Sequence, residues 1–181
     1  MKHLLLSAAF AVFSTAAFAG PQYVDETGFA VSGYDVVAYF SLPQSAVGSP
    51  QAEAVPLYPF LQALRRRGLR LGVATNDAEM PARAHLTAAG VVELFDFVAG
   101  SDSGFGAKPG PGQLQGFLQA MDLLPEQVLM VGDSLHDLRA GRAAGMRTAA
   151  VLTGIADTQQ LEPYADVVLP DIGHLPAWLD R

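Results

Sequence analysis

Short apolar runs alternate with amphipathic stretches from Leu57 almost to the end of the chain. Runs such as Val128-Leu-Met-Val131 are bounded by polar turns, which is typical of buried strands. The intervening stretches have apolar residues at helical spacing, and Gly68, Gly90 and Gly145 stand where a helix would end. This alternation predicts βαβ units, and so an α/β fold with a Rossmann-like parallel sheet and helices on both faces. The predicted helices are 57–67, 78–89, 113–123 and 135–144, and the predicted strands are 69–75, 95–100, 128–131, 147–152 and 167–169.

The pattern before Leu57 is different. Residues 20–56 are rich in Gly, Pro, Ser and Gln and contain one pronounced apolar segment, Tyr34 to Phe40. The β-branched and aromatic residues of this segment predict a strand or a short buried stretch. Residues 41–56 contain three prolines and few large apolar side chains, so they are predicted to be a linker.

The first 19 residues form a third pattern. Lys2 is followed by an apolar run from Leu4 to Phe13, and Ala17-Phe18-Ala19 precedes Gly20. This is the pattern of a secretory leader, and it is too short for a stable membrane span. It predicts an exported or periplasmic protein, and the alternative is a buried N-terminal helix or strand.

Length and charge narrow the possible functions. With 181 residues and 50% hydrophobic content, the chain can bury one good core, which favours a single globular domain. The net charge of -7 and only 11 Lys and Arg residues argue against a nucleic-acid surface. The chain has no cysteine, which fits either compartment.

Three polar stretches fall at predicted strand ends, where open parallel sheets bind their ligands. They are Val73–Asp77, Gly106–Pro109 and Val131–Asp137. Because carboxyl ends of parallel strands share one edge of the sheet, we expect these stretches to lie together.

Asp133 and Asp137 are the candidate metal ligands. Both are hard oxygen donors, and their spacing across a strand end and the first helical turn can aim both at one Mg²⁺. The alternative is that the two acids only complement the positive end of a helix dipole.

Thr75, Asn76 and Lys108 are the candidate phosphate-binding residues. The Thr75 hydroxyl and the backbone N–H groups that follow it lie near a predicted helix N-terminus, which suits a phosphate. An ordinary helix cap would use the same residues. Lys108 could bring a positive charge to a phosphate, whereas a lysine in a loop is more often solvated.

Taken together and in this order, the three stretches resemble the haloacid dehalogenase-like hydrolase superfamily, and most closely its phosphoglycolate phosphatase-like branch. The resemblance covers roughly residues 57–181. The second family motif is similar to "LGVATND" with Thr75, the third to "GAKPGP" with Lys108, and the fourth to "VGDSLHD" with Asp133 and Asp137. It implies a Mg²⁺-dependent phosphatase that acts on a small phosphate monoester, with Thr75 and Lys108 at the reacting phosphate. Such enzymes are usually cytoplasmic, whereas the leader predicts an exported or periplasmic protein.

The first motif of this family, an Asp-x-Asp after an apolar strand, supplies the attacking carboxylate, and the sequence before residue 57 contains none. Asp25, in "DETG", is a candidate because it resembles the motif that carries the phosphorylated Asp of distantly related cation pumps. The central strand that bears the first motif and the substrate-selecting cap are therefore expected to be missing. One hypothesis is an active phosphatase; the other is a non-catalytic fusion that retains a Mg²⁺ and phosphate pocket.

Residues 20–56 instead resemble the start of exported YHS-domain proteins, through "GFAVSGYDVVAYF" and the following "VGSP". This resemblance implies a third hypothesis, an exported binding module. The predicted organisation is thus a leader at 1–19, a YHS-like fragment and linker at 20–56, and a hydrolase core at 57–181, joined near Pro56. Two segments are candidates for the empty central position of the sheet: Val36 to Phe40, or the apolar leader itself if it is not removed.

Overall fold

The fold is taken from a computed structural model that describes residues 35–38 as backbone and residues 55–154 and 156–180 in full. The predicted leader, Asp25, and most of the YHS-like fragment and linker lie outside these residues. Pro56, beside the predicted junction, immediately precedes the first helix.

The described residues form a six-stranded, fully parallel sheet in the order β3-β2-β1-β4-β5-β6. This confirms the predicted α/β class. The strands are β1 (Asp35–Ala38), β2 (Leu71–Ala74), β3 (Phe97–Ala99), β4 (Val128–Gly132), β5 (Arg147–Val151) and β6 (Val167–Leu169).

The main helices occupy the predicted stretches. They are α1 (Leu57–Arg66), α2 (Glu79–Ala88), α3 (Gly112–Met121) and α4 (Leu135–Ala143), and two short helices follow, α5 (Thr158–Leu161) and α6 (Leu175–Leu179). The two short helices were not predicted, because four or five residues are too few to show a helical period.

The helices cover both faces of the sheet. Leu129 and Val131 of β4 belong to a core that includes residues of α1, α2 and α6. Val128 and Met130 alternate with them and pack with residues of α3 and α4. Because successive side chains of a strand point to opposite faces, one strand serves two separate cores.

The central position, expected to lack its usual strand, is occupied by β1. Val36 pairs with Leu71 of β2 on one side and with Leu129 of β4 on the other. The strand comes from the first of the two segments proposed for this position, so the sheet is continuous although the Asp-x-Asp sequence is absent. Four residues of the segment predicted to be a YHS-like fragment thus pair within this sheet.

None of the helices in the described parts of the chain has the length and apolar character that a membrane crossing requires.

Candidate active site

The three polar stretches meet at the carboxyl edge of the sheet, as expected. Thr75 directly follows β2, Asp133 directly follows β4, and Lys108 lies in the loop between β3 and α3. The loop reaches the end of β2 through reciprocal hydrogen bonds: Lys108 N donates to Asn76 Oδ1 at 2.8 Å, and Asn76 Nδ2 donates to Lys108 O at 3.1 Å.

Lys108 is buried, so the alternative of a solvated loop lysine is wrong. Its Nζ donates to Ala74 O at 2.7 Å and lies 3.0 Å from Asp137 Oδ1, and both charged side chains have 0% exposure. Burial lowers the pKa of Lys108 to about 7, while the carboxylates of Asp137 and Asp77 oppose that shift. The ammonium thus depends on Asp137 for its charge.

Asp137 is held from both sides. While Oδ1 faces Lys108, Oδ2 accepts hydrogen bonds from Ser134 Oγ at 2.6 Å and from Ser134 N at 3.1 Å. Ser134 is the N-cap of α4, and its hydroxyl also accepts from Asp137 N. Beneath it, a methyl group placed on Gly132 would lie 2.3 Å from Asp137 Cβ, so only glycine fits there.

Thr75 is buried, and its surroundings fix both its backbone and its hydroxyl. Oγ1 accepts a hydrogen bond from Asp77 N at 3.0 Å, as in the alternative helix-cap interpretation. Its carbonyl accepts one from Nε2 of the fully buried Gln113 at 2.7 Å. Lys108 and Gln113 therefore hold consecutive carbonyls, those of Ala74 and Thr75.

Asp133 lies at the end of β4 with 7% exposure. In the described ranges no group of three or more His, Cys, Asp or Glu residues is arranged to hold a metal ion. A Mg²⁺ ion, however, commonly keeps several waters and takes only one or two protein carboxylates together with substrate phosphate. Asp133 fits that kind of binding, whereas both oxygens of Asp137 already contact Lys108 and Ser134.

Sequence reasoning did not identify three residues of this site. Ser134 had a signal, because Ser-Leu-His-Asp before a helix is a capping sequence. Gly132 belongs to the "VGDSLHD" motif, but the motif did not indicate its close contact with Asp137. Gln113 had no comparable signal, since helical periodicity does not reveal which amide will be buried against a neighbouring loop.

The carboxyl edge also receives the chain from β1, which runs parallel to β2 and β4. Tyr39, Phe40 and Ser41 follow this strand in the sequence, and none of them carries a carboxylate. Asp25, the other sequence candidate for the attacking group, lies outside the described residues.

Comparison with known proteins gives consistent results. A family model described as haloacid dehalogenase-like hydrolase matches residues 54–151, more than half of the chain. The chain is 37% identical over 108 residues to pyrophosphatase PpaX of Bacillus thuringiensis, a match that covers 60% of this chain and 50% of that protein. The chain thus spans about half the length of the curated relatives that it matches.

Solved structures show the same fold. A protein described as a predicted phosphoglycolate phosphatase from Haemophilus somnus is 28% identical, with a TM-score of 0.63 over 67% of this chain and 55% of that one. A haloacid dehalogenase-like family hydrolase from Streptococcus pneumoniae has a TM-score of 0.60 at 22% identity, over 67% of this chain and 57% of that one, and supports the fold alone.

Proposed function

Because the chain belongs to the haloacid dehalogenase-like hydrolase family, we propose that its carboxyl-edge site binds a small phosphate monoester together with Mg²⁺ and acts as a phosphatase. The buried Lys108–Asp137 pair carries this proposal. Burying two charges is costly, and nothing about the hydrophobic core requires a cation at the end of a strand. Such a cost is expected where the charge acts on a ligand.

In this proposal Thr75, Asn76 and Lys108 bind the phosphate. The Thr75 hydroxyl and the Lys108 ammonium can both donate to phosphate oxygens, and Asn76 fixes the loop that carries Lys108. The PpaX relative is named a pyrophosphatase and the Haemophilus somnus structure a phosphoglycolate phosphatase. Those names support a small phosphorylated substrate for this chain as well.

Asp133 and Asp137 have different roles in this proposal, although the sequence suggested that both would bind Mg²⁺ directly. Asp133 would bind Mg²⁺ directly. Asp137 would act on the ion only indirectly, by keeping Lys108 charged and in place. When bound, the ion would neutralise negative charge on the phosphate.

A phosphate-binding protein without turnover is the second candidate. The residues after β1 favour it, because a family phosphatase needs a carboxylate that attacks phosphorus, and Tyr39, Phe40 and Ser41 supply none. The third hypothesis, an exported binding module, loses support because β1 pairs within the hydrolase sheet. Export itself remains a proposal from the leader sequence.

Two measurements on the full chain separate these candidates. Phosphate release from an aryl phosphate would be assayed with and without Mg²⁺, against a boiled control. An active enzyme is expected to show Mg²⁺-dependent release that Asp133→Asn abolishes. If release occurs, the variant Asp25→Asn tests whether Asp25 is the attacking group. Loss of release with an unchanged melting-temperature response to Mg²⁺ and phosphate would support that role, and retained release would exclude it.

Thermal unfolding with Mg²⁺ and inorganic phosphate is the second measurement. Both candidates predict a higher melting temperature with the two ligands together, and the binding protein predicts it without turnover. A melting temperature that does not respond, combined with no release of phosphate, would contradict both candidates.

A further inference from the structure

Gly154, in the segment of residues 152–154 that follows β5, packs directly against the Asp133 carboxylate. A methyl group built on Gly154 would lie 1.8 Å from Asp133 Oδ2, 2.2 Å from its Cγ and 2.6 Å from its Cβ. Favourable contacts between carbon atoms need about 3.5–4.0 Å. In the present position of Asp133, only a glycine therefore fits at residue 154.

This restriction comes from space and not from backbone conformation. Gly154 is not among the residues with positive φ, so an alanine can adopt its backbone geometry. Asp133 has a short side chain that is 7% exposed and has little room to turn aside. A side chain at residue 154 would consequently act on the carboxylate itself.

The segment is anchored on the side away from Asp133. Leu152 N donates to Leu169 O of β6 at 3.0 Å, which ties the start of the segment to the sheet. Thr153 Oγ1 is buried and, within the described residues, has no hydrogen-bond partner. The close approach of Gly154 to Asp133 therefore does not depend on a hydrogen bond from the Thr153 side chain.

We propose that Gly154 is a positioning residue that sets the place of the Asp133 carboxylate and, through it, the affinity of the site for a divalent cation. The cation part of this inference rests on the proposed function. Groups that orient a metal ligand without touching the metal commonly change its affinity by about 10–100-fold when they are replaced. The family motifs that suggested the site do not include residue 154.

A stability cycle tests the contact without any metal. Gly154→Ala in the full chain is expected to lower the melting temperature by roughly 4–10 °C, because it overpacks a buried site. In the background of Asp133→Gly, which removes the three atoms nearest to the methyl group, the same change is expected to have a much smaller effect. Equal losses in both backgrounds would overturn the proposal, since the new methyl group would then be meeting something else.

A binding measurement tests the consequence for the cation. Mn²⁺ is titrated into the full chain while free Mn²⁺ is followed by its electron paramagnetic resonance signal. Gly154→Ala is expected to weaken binding at least about tenfold. The matched control is Thr153→Val, which keeps the shape of the neighbouring side chain and should bind Mn²⁺ as the unaltered chain does.

The outcomes separate this inference from the proposed function. Mn²⁺ binding by the unaltered chain and equally tight binding by Gly154→Ala would overturn the inference alone. The same loss of affinity in Thr153→Val would also overturn it, because the effect would not be specific to the contact with Asp133. If the unaltered chain binds no Mn²⁺, the proposed metal site fails, and the stability cycle still decides whether Gly154 positions Asp133.

Discussion

The two edges of the sheet use the same kinds of charged residues for different purposes. At the amino edge, Asp96 directly precedes β3, accepts a hydrogen bond from Leu71 N at 2.9 Å and donates its own N–H to Leu71 O at 2.6 Å. Asp166 directly precedes β6 and makes the same two bonds with Thr148 of β5. Its carboxylate accepts from Thr148 N at 2.8 Å, and its own N–H donates to Thr148 O at 2.7 Å. Each acid thus joins an outer strand of the sheet to the beginning of the strand beside it.

The arginines that pair with these acids face solvent. Arg65 and Arg70 contact Asp96, and Arg142 lies 3.1 Å from Asp166. Arg70 and Arg142 are both 44% exposed, whereas Lys108 at the carboxyl edge is fully enclosed. An ion pair that water can screen contributes little, and an enclosed one becomes costly when a partner is lost. Loss of a single charge is therefore expected to reduce stability more at the carboxyl edge than at the amino edge.

Removing the enclosed cation is expected to have the largest effect. Lys108→Met leaves Asp137 buried opposite an apolar side chain, which should reduce the free energy of unfolding by about 3–5 kcal/mol. The double variant Lys108→Met/Asp137→Asn should recover much of this loss, because no buried charge remains and Asn can still accept from Ser134. Urea denaturation measures both, and a single-variant loss below about 1 kcal/mol would contradict an enclosed pair.

A change of pH is expected to have an intermediate effect on stability, through the titration of Lys108. The pKa of Lys108 is about 7 in the folded chain and ordinary in the unfolded chain, so between pH 7 and 10.5 the unfolded state binds more protons. Stability from this group therefore rises with pH through that window, by about 2 kcal/mol between pH 7 and 9.

Urea denaturation across this pH range measures the effect, with Lys108→Met as its control. The variant should lack the rise that Lys108 contributes. A pH profile that is the same with and without Lys108 would show that the buried lysine stays charged throughout. Phosphate binding should weaken over the same window, because the ammonium loses its proton.

The smallest effects are expected at the amino edge. Asp96→Asn keeps an oxygen that can accept from Leu71 N but loses the charge that attracts Arg65 and Arg70, so about 1 kcal/mol of stability should be lost. Arg67→Ala, which removes an exposed pair with Asp180, should cost less than about 0.5 kcal/mol. Neither variant should change the melting-temperature response to Mg²⁺ and phosphate, and a changed response would link the two edges.

The sequence predicted most of the fold because its alternation persists over whole elements. Strands such as β4 and helices such as α1 lie within a residue or two of their predicted bounds. The position of β1 required more than periodicity, since nothing within "DVVA" indicates which two strands it will pair with. The empty place that the family resemblance left in the sheet made this segment one of two candidates, and the other was the apolar leader.

The sequence predicted which residues would form most of the site, but not how their side chains would contact one another. The spacing of Asp133 and Asp137 indicated that both acids would lie near the start of a helix, but not that one would face Lys108. That choice depends on the space above Gly132 and on the Ser134 cap, which are properties of the packed structure. Burial of Lys108 was likewise not visible, because half of its loop, residues 100–111, is Gly or Pro and shows no periodic pattern.

The pairing of β1 has a consequence for how the chain folds. Within the described sheet, β2 and β3 lie on one side of β1, and β4, β5 and β6 lie on the other. The paired strands within each group are closer to one another in sequence than β1 is to either of its partners, since Val36 pairs with Leu71 of β2 and with Leu129 of β4. Closing so long a loop is entropically unfavourable and slows folding, so we expect the two groups to form first and β1 to join them last. Hydrogen exchange during refolding should then protect the amides of β5 before those of β1.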